Sequence, residues 1–195
     1  MEKKSYGGKI LADCLKDLGV NTVFTVPGES FLAALNGLYD HKNDINVITC
    51  RHESGAANMA EAWGKLNGLP GVVFVTRGPG ACHASIGVHT AMQDSSPMIM
   101  FIGQINSKHK GREAFQEVDY HKMFGQPFSK AVFEIKNAKS IPNIVQKAYY
   151  ISTKDRPGPV IISLPEDILE QYAKYKPIKP IKQQITEGID FFSKK

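Results

Sequence analysis

Apolar positions along the chain alternate between a helical spacing and short continuous runs. In residues 7–18 the apolar side chains recur at the spacing of one helix face, and Gly19 follows as the residue that ends the helix. The same reasoning predicts further helices over 30–39, where Ser30 is a candidate N-cap, and over 54–67, 80–93 and 138–152. Apolar runs bounded by turn residues predict strands over 22–26, 45–49, 71–76, 97–103, 128–135 and 160–163.

Two of these strands carry the uninterrupted apolar runs VVFV and MIMFI. Such runs are typical of strands that are buried on both faces by crossover helices. We therefore predict an α/β fold, a doubly wound and mostly parallel six-stranded sheet with helices on both faces. Ligands bind such sheets at the carboxyl ends of the strands, where the strand order reverses. The loops 27–30, 50–53, 77–81 and 104–116 are therefore the candidate binding loops.

Composition and charge narrow the class of protein. Hydrophobic residues are 42% and charged residues 22% of the 195 residues, which excludes general disorder. The net charge is +5, of which +4 lies in residues 171–195. That segment is rich in lysine and proline and is typical of a linker, so no nucleic-acid partner is expected. No apolar run approaches the roughly 18 residues that cross a bilayer, so no membrane association is expected.

The cysteines and the N-terminus favour a cytoplasmic protein. Cys14, Cys50 and Cys82 are widely spaced and odd in number, which is untypical of a disulfide framework or a zinc ribbon. No apolar segment of a secretory signal follows the first residues. The pair His52-Glu53 does not extend to the zinc-protease pattern because Ala56 stands where the second histidine would be. We predict a reducing cytoplasmic location and no metal ligands in this chain.

Four short motifs follow predicted strands, and each has an ordinary structural explanation. PGES (27–30) and TRGPGA (76–81) read as tight turns, whereas RHE (51–53) and AFQEVD (114–119) read as the acidic first turns of helices. Their order is more informative than any single motif. The series PGES, RHE, TRGPGA, MQDSSPMIMFIGQ, AFQEVD and RPGPVIISLP resembles the N-terminal pyrimidine-binding domain of thiamine diphosphate enzymes. The similarity covers about residues 5–170 and is greatest to the acetolactate synthase-like branch.

The resemblance implies roles for particular residues. Glu53 would be the catalytic acid, hydrogen-bonded to N1′ of the coenzyme's aminopyrimidine, because a shielded carboxyl group can share a proton with a ring nitrogen. The other implied contacts with the coenzyme are Pro27, Gly28, Thr76, Gly78, Pro79 and His83. Those implied on the substrate side are Glu29, Ser30, Phe115 and Gln116. The chain departs from the common pattern at His83, where Asn is frequent, at Arg77, where Ser is frequent, and at Glu29, where Gly is frequent.

The resemblance also implies an organisation larger than this chain. The Gly-Asp-Gly signature of the diphosphate-binding domain is absent from the sequence. We therefore expect residues 1–170 to form the pyrimidine-binding domain and 171–195 to form a linker toward an absent central domain. Mg²⁺ would bind to the missing C-terminal domain, FAD is a further candidate cofactor of the full-length enzyme, and the assembly would be a homodimer or homotetramer.

The implied reaction is decarboxylation of a 2-oxo acid with carboligation, as in acetolactate synthases, with simple decarboxylation next. The chain alone is expected to be inactive. Two alternatives stay open at this point. The chain could be a natural half-enzyme that pairs with a separate diphosphate-binding chain, or a non-catalytic binding module of the same fold.

Overall fold

A computed structural model describes residues 2–178. The strands are β1 (Lys3–Tyr6), β2 (Thr22–Thr25), β3 (Asn46–Thr49), β4 (Gly71–Val75), β5 (Met98–Gln104), β6 (Ala131–Glu134), β7 (Pro159–Pro165) and β8 (Tyr172–Tyr175). The α-helices are α1 (Gly7–Asp17), α2 (Leu32–Tyr39), α3 (Glu53–Asn67), α4 (Pro79–Asp94), α5 (Tyr120–Phe124), α6 (Ile141–Thr153) and α7 (Glu166–Glu170). Among these residues, none of the helices combines the length and the hydropathy that a bilayer crossing needs.

The main sheet has six parallel strands in the order β3-β2-β4-β5-β7-β6. Two separate hydrophobic cores cover its faces. One core includes apolar side chains of α1, α2 and α6, and the other includes those of α3, α4 and α5. The predicted doubly wound, six-stranded α/β fold is therefore confirmed, and the main sheet is parallel throughout.

Helices α3 and α4 pack unusually closely because their contact surfaces consist of small residues. A Cβ atom added at Gly87 would lie only 2.5 Å from the Cβ of Ala57, and one added at Gly64 would overlap the carbonyl oxygen of Pro97. Ala56, Ala60 and the α4 alanines are fully buried between the helices and the sheet. This close approach brings the first turns of α3 and α4 side by side, and both turns carry candidate site residues.

A second, two-stranded sheet joins the two ends of the described chain. Strand β1 pairs antiparallel with β8, which lies in the segment predicted as a linker. The pairing is reinforced by the phenol of Tyr175, which donates to the carboxylate of Asp13 in α1. Lys9 and His41 contact the same carboxylate, each at 2.6 Å. The rest of the predicted linker, residues 179–195, lies outside the described residues.

Three local details differ from the sequence-based prediction, and a fourth agrees with it. Ser30 is not a helix N-cap, because the chain first makes a 3₁₀ turn over Glu29–Phe31 and α2 begins at Leu32 without a side-chain cap. The short helix α7 was not predicted, since five residues are too few to show a helical period. The AFQEVD motif was read as the first turn of a helix; instead it precedes α5 and supplies its N-cap, Asp119. The polar stretch 104–116 lacks a regular period, and a single 3₁₀ turn at Ser107–His109 is its regular structure after β5.

Candidate functional site

The candidate site lies where the strand order of the main sheet reverses. After β2 the chain continues to β3 on one side, and it then returns to β4 on the other side of β2. Thr25 at the end of β2 is level with Thr49 of β3 and Phe74 of β4. The loops that follow these three strands therefore leave the sheet together at its carboxyl edge, which is where α/β sheets bind ligands.

The loop after β2 is held against the loop after β4. The hydroxyl groups of Ser30 and Thr76 lie 2.9 Å apart in a hydrogen bond. A Cβ atom at Gly28 would come within 2.6 Å of the Thr76 Cβ, and one at Gly103 would overlap the Ser30 hydroxyl. Only glycine at positions 28 and 103 allows this approach, so the loop after β2 packs directly against Thr76 in the loop after β4.

Glu53 is the first residue of α3, and its side chain is only 12% exposed. Its Oε2 atom lies 2.9 Å from Nδ1 of His83 in α4. Its Oε1 atom faces Gly80, where an added Cβ would be 3.5 Å away. The carboxyl group is thus shielded, has one hydrogen-bond partner among the described residues, and faces a glycine turn that places no side chain against it.

His52 caps the start of α3, directly before Glu53. Its Nδ1 atom accepts a hydrogen bond of 3.2 Å from the backbone N–H of Ser54, which caps the start of α3. Its ring stacks on the ring of His83, with the centroids 4.5 Å apart and the planes inclined by 30°. His52, Glu53 and His83 therefore form one cluster at the mouth of the site.

The turn after β4 depends on a buried tyrosine. Gly78 has φ of 45° and ψ of −98°, a conformation that favours glycine. Its backbone N–H donates to the phenol oxygen of Tyr120 at 3.0 Å, and that phenol donates to the carbonyl of Gly103 at 3.2 Å. Burial raises the pKa of Tyr120 to about 12, partly offset by the bond from Gly78. A Cβ at Gly78 would lie 3.0 Å from the carbonyl oxygen of Gln116, so this turn packs directly on the 111–117 loop.

Arg77 ties two acidic side chains to the same edge. Its guanidinium donates to Glu29 at 2.6 Å and to Glu166, at the start of α7, at 3.1 Å. The Arg77 side chain is 9% exposed, whereas that of Glu29 is 73% exposed. Glu29 lines an acidic cavity together with Ser30, Asn106 and Glu166. Two of the chain's departures from the common pattern, Arg77 and Glu29, thus pair with each other.

The structure brings most of the predicted site residues together, but not all. Gly28, Ser30 and Thr76 form one contact group, Glu53 and His83 a second, and Gly78 with Gln116 a third. Pro79 is the first residue of α4, and Pro27 is exposed. Phe115 is 76% exposed, and none of the described contacts holds it in the site.

Sequence reasoning missed three participants, namely Tyr120, Glu166 and the stacking of His52 on His83. The one signal for Tyr120 was the acidic AFQEVD motif. Its last residue, Asp119, is the N-cap of α5 and accepts from the backbone N–H of Lys122. Glu117 of the same motif accepts from the backbone of Gly111 and Ala114, and these bonds hold its pKa below the usual range. The motif therefore orders the loop that covers Gly78.

Comparisons with known proteins agree with this arrangement. A family described as "Thiamine pyrophosphate enzyme, N-terminal TPP binding domain" matches residues 6–123. An acetolactate synthase large subunit of Lactococcus lactis is 39% identical over 168 residues, which is 86% of this chain and 29% of that protein. A probable acetolactate synthase large subunit of Methanocaldococcus jannaschii is 40% identical over 83% of this chain and 27% of its own length.

An acetolactate synthase of Bacillus subtilis is 34% identical over 91% of this chain and 31% of its own length. The chain thus spans less than a third of the length of each of these relatives. The family match covers more than half of the chain and includes every loop that forms the site. The chain therefore belongs to the family of thiamine pyrophosphate enzymes and corresponds to their N-terminal, coenzyme-binding domain.

Proposed function

We propose that this chain binds the aminopyrimidine end of thiamine diphosphate and activates it through Glu53. The observation that carries the proposal is the carboxyl group of Glu53, which is shielded from water and directed at the glycine turn 78–80. A shielded carboxyl group can hold a proton and share it with N1′ of the pyrimidine. Glycine at position 80 keeps the backbone beside Glu53 free of a side chain, since an added Cβ would lie 2.9 Å from the Thr76 side chain and 3.5 Å from Oε1 of Glu53.

The residues fit the coenzyme, and each has a separate task. When bound, thiamine diphosphate supplies the electron sink for decarboxylation of a 2-oxo acid. Glu53 holds the proton at N1′, and His83 orients the Glu53 carboxylate through its 2.9 Å hydrogen bond. The loop 27–30 excludes water from one side, while Phe115 and Gln116 are the proposed contacts on the substrate side together with Glu29 and Ser30.

For the whole protein we propose a reaction of the acetolactate synthase type. Decarboxylation of a 2-oxo acid followed by carboligation makes it a transferase or lyase. The support is the identity of 34–40% to acetolactate synthases across most of this chain. Mg²⁺, a diphosphate-binding domain and FAD are proposals for the remainder of that protein. A cytoplasmic location is also a proposal, supported by the three unpaired cysteines.

We further propose residues 1–170 as the domain, residues 171–195 as a linker whose first part, β8, pairs with β1, and a homodimer or homotetramer as the assembly. Met59, Leu66 and Ile86 of α3 and α4 are 41%, 85% and 55% exposed. Exposed apolar side chains on two adjacent helices favour burial against another subunit. Sedimentation velocity would test this, and a strictly monomeric full-length protein would contradict it.

The coenzyme proposal is tested with Glu53→Gln, which keeps the size of the side chain and removes its acid–base function. Glu2→Gln, at an exposed position before β1, is the matched control. Calorimetric titration of thiamine diphosphate with Mg²⁺, and turnover of a 2-oxo acid, are measured in the chain alone and in the chain with the remainder of its natural protein. We expect turnover in the longer protein only, and a loss of about 10²-fold or more in Glu53→Gln. Unchanged turnover in Glu53→Gln would contradict the assignment.

A further inference from the structure

The cluster of His52, Glu53 and His83 has a second chemical capability. Each residue offers one ligand atom, and the three atoms lie within 4.8 Å of one another. His52 and Glu53 lie at the start of α3 and His83 is the fifth residue of α4, and the close packing of the two helices sets the distance between them. We propose that these three side chains form a site for Zn²⁺ or a similar late transition-metal ion, and that the ion and the pyrimidine of the coenzyme exclude each other.

The donor set selects the type of metal. Two imidazole nitrogens and one carboxylate oxygen suit zinc, which commonly takes three protein ligands and a water molecule. Mg²⁺ prefers oxygen ligands in octahedral geometry and would be a poor competitor here. The site therefore differs in chemistry from the Mg²⁺ proposed for the rest of the protein.

The ligand atoms lie within 4.8 Å of one another, so the widest pair must close by up to about 1.5 Å around a tetrahedral ion. In a tetrahedral zinc site, bonds of about 2.0–2.1 Å place neighbouring ligand atoms about 3.3–3.4 Å apart. His83 Nδ1 and Glu53 Oε2 are already 2.9 Å apart, so replacing their shared proton by a metal requires a slight separation. The side chain of His83 is 51% exposed and His52 is exposed, so both rings are free to turn toward the ion.

The environment of His52 completes the site. With Nδ1 protonated, His52 donates to the hydroxyl oxygen of Ser54, 2.7 Å away, and leaves Nε2 for a metal; this tautomer gives up the bond that Nδ1 otherwise accepts from the Ser54 backbone N–H. A ligating histidine usually donates its second ring N–H to such a partner, which fixes the orientation of the ring. The helix N-termini carry partial positive charge and oppose a cation, but the carboxylate of Glu53 compensates for this charge.

The exclusion follows from the use of one carboxyl group for two purposes. A cation on Oε2 withdraws electron density from the whole carboxylate and lowers its basicity, so Oε1 can no longer hold the proton that N1′ of the pyrimidine requires. This half of the inference rests on the proposed function, whereas metal binding itself does not.

Metal binding is measured in the 195-residue chain by competition for Zn²⁺ with a chromophoric chelator, without coenzyme. The test variants are His83→Asn, which introduces the residue frequent in related proteins, and His52→Asn, which keeps a good N-cap. His89→Asn, exposed on the same helix as His83, and Cys82→Ser are the matched controls. Circular dichroism melting confirms that each variant is folded.

We expect one Zn²⁺ per chain, at least about tenfold weaker binding in His83→Asn and His52→Asn, and unchanged binding in both controls. Millimolar Mg²⁺ should leave the affinity unchanged. Equal affinity in all variants, or weakening in Cys82→Ser alone, would overturn the site. Zinc-edge X-ray absorption that shows a sulfur ligand would overturn it as well.

The exclusion is tested with the aminopyrimidine fragment of thiamine, which lacks the diphosphate that would itself bind zinc. The fragment should weaken the apparent affinity for Zn²⁺ in proportion to its concentration. Simultaneous binding of fragment and ion would overturn the exclusion and leave the metal site standing. Failure of the metal-free chain to bind the fragment would instead count against the proposed function.

Discussion

Replacing Tyr120 by Phe tests whether the turn after β4 depends on a single hydroxyl group. Tyr120 is 2% exposed, and its phenol links the backbone N–H of Gly78 to the carbonyl of Gly103. Phenylalanine fills nearly the same volume, so packing is preserved and only the two hydrogen bonds are lost. Gly78 begins the turn that faces Glu53, so the substitution also tests how the site is supported.

The cost can be estimated from the groups that lose a partner. A buried backbone group without a hydrogen-bond partner costs about 1–3 kcal/mol. Most of this cost falls on the backbone N–H of Gly78, which loses its acceptor. Gly103 lies in β5 and is paired with Leu164 of β7, so its backbone keeps its place in the sheet. We therefore expect the free energy of unfolding to fall by about 2 kcal/mol, which at a typical urea dependence of about 2 kcal/mol/M lowers the midpoint by about 1 M.

The assay is urea unfolding followed by circular dichroism, with Tyr172→Phe as the control. Tyr172 lies in β8 and is 68% exposed, so its substitution should change stability by less than about 0.5 kcal/mol. A Tyr120→Phe midpoint that matches the control would refute the reasoning, because it would show that the turn keeps its conformation without the phenol.

Three further predictions concern pH and packing. Burial raises the pKa of the Tyr120 phenol from 10.0 to about 12, so the stability that the neutral phenol provides is complete below pH 10 and is lost as pH rises toward 12. The difference in unfolding free energy between the unmodified chain and Tyr120→Phe should therefore shrink over this interval. A difference that stays constant would contradict the prediction. On α3, Gly64→Ala should lower stability by about 1–3 kcal/mol because the new Cβ meets the Pro97 carbonyl. Gly55→Ala, with open space around it, should raise stability by about 0.5–1 kcal/mol, and equal effects in melting curves would contradict the packing argument. Burial raises the pKa of Asp13, but hydrogen bonds with Lys9, Tyr175 and His41 outweigh burial and lower the pKa below 3.8. Asp13→Asn should therefore lower the free energy of unfolding by about 1.5–3 kcal/mol at neutral pH, and by progressively less as pH falls below 3.8. A loss of stability that is independent of pH would contradict this prediction.

The sequence was sufficient for the main elements because their patterns are local. The apolar runs of β4 and β5 are fully buried, as their composition predicts, and the small-residue helices α3 and α4 lie close to the predicted bounds. The candidate loops after β2, β3 and β4 do meet at one edge of the sheet. That meeting follows from the doubly wound topology, which fixes where strand ends gather without specifying any side-chain contact.

The contacts that define the site were not predictable in the same way, because each joins residues far apart in sequence. The bond between Glu53 and His83 spans 30 positions, and that between Arg77 and Glu166 spans 89. Such pairs depend on the order of the strands and on the exact distance between helices. The spacing of apolar residues along one segment predicts neither of these. Because α3 and α4 pack closely, His83 of α4 reaches the adjacent pair His52 and Glu53 of α3 and forms a three-residue cluster with them. The resemblance to thiamine diphosphate enzymes could therefore predict a role for Glu53, but its contact with His83 follows only from the packing of the two helices.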